Sequence, residues 1–105
     1  MKIVERKYRG SVICRALGYP ISYAIVKLLL EHDRLTLSDV VTRVKRTKQT
    51  VCFHLTKLRM LNIVRYEKEN KQTYYWIKYP EYVRSIVNAC ESFVKRTTKR
   101  IERDT

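Results

Sequence analysis

From Pro20 onward the apolar positions fall into blocks whose period changes along the chain. Between Ile21 and His32 the residues Ile21, Ala24, Ile25, Leu28 and Leu29 repeat with a period near 3.6, which predicts a central core helix starting after Pro20 and Ser22. The charged turn His32-Asp33-Arg34 ends it. Thr36-Leu37-Ser38-Asp39 then sets a hydroxyl three residues before a carboxylate, the spacing of a capping box. Val40, Val41 and Val44 give the short helix that follows its apolar side. Thr47 caps a further helix over 47–61 with Val51, Leu55 and Leu58 expected inside, and Asn62 suits a left-handed cap at its end.

Beyond Asn62 the period drops to two. Ile63–Glu67 and Gln72–Ile77 are rich in β-branched and aromatic residues, with Val64 and Tyr66 expected to face Thr73, Tyr75 and Ile77 and with Glu67–Lys71 as the hairpin tip. A helical period returns after Pro80, where Val83, Ile86, Val87, Cys90, Phe93 and Val94 mark one face. The start of the chain is mixed and predicts a helix near 2–17 whose apolar side carries Val12, Ile13 and Leu17, interrupted at Gly18-Tyr19-Pro20. The expected fold is therefore mainly α with a small β-hairpin wing, a winged helix-turn-helix in one domain over 1–105.

Charge sharpens this picture. The 105 residues hold 23 Lys and Arg against 10 Asp and Glu, a formal net charge of +13, which favours a polyanionic partner through counterion release. Only two glycines and two prolines leave little room for linkers. No apolar run approaches the roughly 20 residues of a membrane span, so no membrane partner and a soluble, cytoplasmic protein are expected. Cys14, Cys52 and Cys90 are isolated and lack metal-ligand spacing, so free thiols, no metal and no cofactor are expected, with a redox link through Cys14 and Cys90 as the less favoured reading. Paired carboxylates, a nucleophile elbow and a phosphate-binding glycine loop are all missing from the sequence, so an enzyme is not expected.

Two capped helices joined by a short basic turn form the signature of a helix-turn-helix. The outward side of the second carries Lys48, Gln49, Cys52, Phe53, Thr56 and Lys57. Gln49 suits bidentate bonding to adenine and Phe53 suits a thymine methyl, with Cys52 and Thr56 beside them, while the main-chain amides of Thr47 to Gln49 and the nearby Arg46 and Lys48 suit phosphate, and Thr50 completes the expected DNA-binding set. Arg65, Lys68 and Lys71 supply cations on the wing, against Glu67 and Glu69. Double-stranded DNA is the expected partner. The apolar face of the last helix, 80–101, exceeds what so small a core needs. It is expected to form a homodimer with the segment 2–18 through Ile13, Leu17, Val83, Ile86, Val87, Cys90 and Val94.

These elements carry a family resemblance over about 60 of the 105 residues. The run Leu17-Gly18-Tyr19-Pro20, then Leu35-Thr36-Leu37-Ser38-Asp39-Val40, then Thr47-Lys48-Gln49-Thr50-Val51-Cys52-Phe53-His54-Leu55 resembles ArsR-like winged-helix regulators. Leu58-Arg59-Met60-Leu61-Asn62-Ile63-Val64-Arg65 and Thr73-Tyr74-Tyr75-Trp76-Ile77 continue the likeness through the wing. The resemblance implies a cytoplasmic homodimeric repressor whose recognition helices enter successive major grooves. Leu37 to Val44 lacks the cysteine pair of some metal sensors in that family, and the last helix lacks their Asp/His pairs. The turn Val44-Lys45-Arg46 departs from the usual pattern by having no glycine, and Tyr19 and Asn62 replace the usual acidic and glycine residues. A chromatin-like coat without sequence preference, or a protein-docking winged helix, would use the same charge differently.

Overall fold

The computed structural model describes the backbone of residues 5–104 and the side-chain surroundings of residues 7–98. A 3-10 turn, Glu5–Tyr8, leads into α1 (Gly10–Leu17) and α2 (Pro20–Glu31). β1 (Leu35–Thr36), α3 (Leu37–Val44) and α4 (Lys48–Met60) follow, then β2 (Val64–Glu69), β3 (Gln72–Ile77) and α5 (Pro80–Asp104). The single first helix expected from the pattern is instead broken before Gly10, a poor helix former, and its start at residues 2–4 lies outside the described residues. At the next break Gly18 has a packing reason: a Cβ there would lie 3.2 Å from the Arg15 carbonyl oxygen.

The core is centred on α2, α3, α4 and the sheet, with α1 and α5 adding Leu17, Val83 and Val87. Ile25, Val26, Val40, Val51, Leu55 and Leu58 are essentially sealed from solvent, and Leu17, Leu29, Ile63, Val64, Tyr75 and Ile77 close around them. Burying one such aliphatic side chain contributes roughly 1.5–3 kcal/mol, which is how β-branched α3 is held although its own propensity is low.

The caps follow the expected chemistry. Asp39 N–H donates to Thr36 Oγ1 at 3.1 Å and Thr36 N–H donates to Asp39 Oδ2 at 3.3 Å, the reciprocal box at the start of α3. Thr47 Oγ1 accepts from Thr50 N–H at 3.2 Å at the start of α4. At the far end Asn62 takes φ 61°, with Ile63 N–H donating to the Leu58 carbonyl at 3.0 Å and Asn62 N–H to the Arg59 carbonyl at 2.9 Å. This is a Schellman closure, and the Ile63 and Leu58 side chains are both buried beside it. The turn without glycine is made by Lys45, which itself takes the left-handed conformation (φ 56°, ψ 47°).

Three further features differ from the expectation. The hairpin is part of a three-stranded antiparallel sheet in the order β1-β3-β2, because Leu35 pairs with Tyr75 and Thr36 with Tyr74. The predicted register holds, with Val64 opposite Ile77 and Tyr66 opposite Tyr75. The tip, however, is only Asn70-Lys71, both at positive φ, so Glu67, Lys68 and Glu69 lie within the strand. A two-residue turn with both residues left-handed matches the twist of the strands, which a five-residue tip would not need.

The third difference concerns the expected dimer surface. Leu17, Val83 and Val87 are buried in the domain's own core, and Ile13 and Ile86 pack partly against it. These positions are satisfied within one chain. Only the later part of the α5 stripe stands clear: Cys90 is exposed, Phe93 is 69% exposed and Val94 56%. The α5 helix is fastened to α2 by the Lys27–Glu91 ion pair and by Arg84 Nη2 donating to the Leu30 carbonyl at 3.1 Å. The bond to Glu91 raises the Lys27 pKa, and burial, with Glu91 next, raises that of Tyr23.

No single helix among the described residues is long and apolar enough to cross a membrane. The pair α1 and α2 is bent by 95°, and α2 buries Ile25, Val26 and Leu29 inside the domain.

Candidate nucleic-acid interface

One side of α4 is interior and the other is surface. Val51, His54, Leu55 and Leu58 are buried, while Lys48, Gln49, Phe53, Thr56 and Lys57 are exposed. Phe53 is 55% exposed, so it stands outward rather than plugging the core. Gln49, Phe53 and Thr56 therefore form a stripe one side chain wide, an amide, a ring and a methyl-bearing hydroxyl, which is the mixture that reads base edges.

Two of the residues expected at the DNA surface are not fully outward. Cys52 is half-buried, so it sits between the inward and outward faces of the helix. Burial first, with a smaller contribution from Cys52, pushes the Tyr75 phenol up from its ordinary value. Thr50 is half-buried and its hydroxyl accepts from Thr47 Oγ1 at 2.9 Å, so both threonines are engaged in the cap. Their role is to fix where the helix starts. Arg46 is exposed and its guanidinium donates to the Lys45 carbonyl at 3.0 Å, across the turn.

The outward stripe rests on a cluster that the pattern did not reveal. Ser22 on α2 and His54 on α4 share a 2.9 Å hydrogen bond between Oγ and Nδ1. The His54 ring meets Phe53 edge-on at 5.4 Å and lies 6.2 Å from Tyr19, while Lys57 Nζ sits 4.5 Å over Phe53 and 5.2 Å over Tyr19. Phe53 is thus oriented from beneath and from one side. Burial, then the charge of Lys57, lowers the His54 pKa below its usual value. His54 is a supporting core residue and, among the described residues, no group of three His, Cys, Asp or Glu is arranged to hold a metal.

On the wing the two carboxylates are engaged by an arginine that precedes β1. Arg34 Nη2 lies 2.8 Å from Glu69 Oε2 and 3.7 Å from Glu67 Oε2, and its guanidinium stacks 4.1 Å over Tyr74 and 5.7 Å from the Trp76 ring. The two carboxylates that seemed to oppose an anion are held by this arginine. Arg65, Lys68 and Lys71 are exposed. Arg59 stacks 3.8 Å over Tyr66, joining the end of α4 to β2 and making wing and helix one surface. Arg34 was missed because its partners lie more than 30 residues away; the signal available was an arginine beside an aromatic-acidic hairpin.

Met60, 78% exposed near the end of α4, was also not anticipated; it borders a shallow groove with Val12, Ala16 and Leu61. Cys14 and Cys90 are exposed thiols on α1 and α5.

No protein-family model matches the chain. It is 28% identical over 74 residues to an uncharacterised HTH-type transcriptional regulator of Methanocaldococcus jannaschii, covering 70% of this chain and 83% of that protein. Among solved structures it is similar to the transcriptional repressor BigR from Xylella fastidiosa, with a TM-score of 0.75, 20% identity, and 85% and 89% of the two chains covered. HlyU from Vibrio cholerae gives a TM-score of 0.74 at 19% identity, with 87% and 97% covered. A homodimeric winged helix-turn-helix DNA-binding domain from Mycobacterium bovis, a possible ArsR-family regulator, gives 0.75 at 15% identity, with 94% and 93% covered. At these identities the likeness establishes the fold: the chain is a winged helix-turn-helix domain.

Proposed function

We propose that the chain is a sequence-specific, duplex-DNA-binding transcription regulator that acts as a homodimer. The observation that carries this reading is the outward stripe of α4. Gln49, Phe53 and Thr56 are exposed on a helix whose opposite face is the centre of the core, so the helix is rigidly presented yet its polar side has no use in folding. A helix in the major groove needs that arrangement. Lys48, Arg46 and the first amides of α4 hold phosphates, Gln49, Phe53 and Thr56 read bases with Lys57 beside them, and Arg65, Lys68 and Lys71 on the wing brace the flank.

The relatives' names support the regulator class, and the Mycobacterium bovis domain is itself homodimeric. In this chain the dimer surface is drawn from the exposed end of the α5 stripe, Cys90, Phe93 and Val94, with α1 beside it, rather than from the buried Leu17, Val83 and Val87. The whole chain serves as one unit without catalytic chemistry, cofactor or metal, and works in the cytoplasm beside its DNA.

The test is selection from random-sequence duplex at near-physiological salt. Enrichment of a two-fold symmetric site with half-sites about one helical turn apart is the expected result. Recovery of duplex with no enriched motif would replace sequence reading by a non-specific coat, and recovery of nothing would remove nucleic acid as the partner.

A further inference from the structure

A cleft beside the wing lies where three elements meet: the start and middle of α3, the first residue of α4 and the tip of the hairpin. Its volume is about 330 Å³, and its polar lining includes Ser38, Thr42, Lys48, Lys71, Gln72 and Thr73 over an apolar floor of Leu37 and Val41. The two lysines come from elements 23 positions apart in sequence and converge on one space. Among the described residues no carboxylate lines it. Asp39, the nearest acid on α3, accepts from Thr36 N–H, and Glu67 and Glu69 of the wing are held by Arg34.

The walls are fixed by backbone. Thr36 pairs with Tyr74, so β3 runs beside the start of α3 and the hairpin tip cannot swing away without breaking the sheet. A space with two cations, several hydroxyl donors and no competing acid suits a tetrahedral anion bearing one or two charges. The volume, about ten times that of one liquid water at ~30 Å³, also admits the flanking sugar of a polymer.

We infer that this cleft is the seat of a single backbone phosphodiester, clamped jointly by Lys48 from the helix-turn-helix and Lys71 from the wing, with the Ser38, Thr42 and Thr73 hydroxyls donating to its oxygens. The inference rests on the duplex-binding reading and deepens it. The clamp joins the two DNA-contacting parts of the domain at one phosphate, so it sets the register between the helix in the groove and the wing at the flank.

The test uses the full chain and one mixed-sequence duplex, with Lys48→Gln, Lys71→Gln and the double variant measured across a series of salt concentrations. Both lysines are exposed, so folding is expected to be untouched. With one shared phosphate, the double variant loses less affinity than the product of the single losses, and its slope of log affinity against log salt falls by about 0.9. Multiplying losses with a slope change of about 1.8 mean two separate phosphates and overturn the clamp. Unchanged affinity in all three variants also overturns it while duplex binding stands. Failure of the wild-type chain to bind duplex overturns the functional reading and the clamp with it. In a second arm, inorganic phosphate is titrated while the amides of Ser38, Thr42 and Thr73 are followed by NMR. Weak shifts that duplex displaces support the clamp. Tight saturation by phosphate that duplex does not displace assigns the cleft to a free phosphate ligand and overturns it.

Discussion

Val51, Leu55 and Leu58 point from α4 into the core, while Gln49, Phe53 and Thr56 on the same helix stand outside it. The first set is interchangeable with any well-packed aliphatic residues of equal volume, because burial is non-directional. The second set has directional groups whose partners are not in the chain. One helix therefore separates cleanly into residues that make the fold and residues that use it, and substitutions on the two faces should fail in different assays.

The largest effect is expected inside. Leu55→Ala should lower unfolding free energy by about 2–5 kcal/mol, read by denaturant titration, while protein that remains folded keeps its preference among duplexes. Gln49→Ala should leave the denaturation curve in place and cost roughly 1–3 kcal/mol at particular base pairs, read by competition between matched and mismatched sites. An equal loss on random duplex would take away its base-reading role and blur the separation. Thr47→Ala tests the boundary, since its hydroxyl caps the helix; a loss of about 1 kcal/mol of stability is expected in thermal melts.

The smallest effect sits at the seam, where His54 is interior yet carries the ring of Phe53. Burial, then Lys57, lowers its folded-state pKa, so the folded protein prefers the neutral ring. Its contribution is fully present above the ordinary histidine value near 6.5 and is lost as pH falls through the lower folded-state value. Denaturation between about pH 5 and 8 should show a steeper acid-side loss for the wild type than for His54→Gln. Parallel curves would mean that the ring is readily protonated in place.

Much of this architecture was legible locally. The caps at Thr36 and Thr47, the left-handed Asn62 and the inward set of α4 follow from short-range spacing, and short-range physics makes them. The missed features are made at a distance. Strand β1 has two residues, too few for any period, and exists because β3 pairs with it from nearly 40 positions away. Cys52 sits between the two faces of α4, where periodicity alone could not choose. The α5 stripe continues unbroken through Val83, Val87 and Val94, but the core ends beneath it. The candidate site was accordingly seen as separate helix and wing residues, whereas the cleft that unites Lys48 with Lys71 depends on the sheet.

Lys45 and Lys71 both hold the left-handed backbone conformation, at φ 56° and 67°. An ordinary residue there costs roughly 1–2 kcal/mol that glycine avoids. Lys45→Gly and Lys71→Gly should accordingly raise the melting temperature, yet Lys71→Gly also takes a positive charge from the surface proposed to meet DNA. Heat resistance and grip on nucleic acid then pull in opposite directions at the wing turn, and a thermally hardened version of the protein made there would be a weaker regulator.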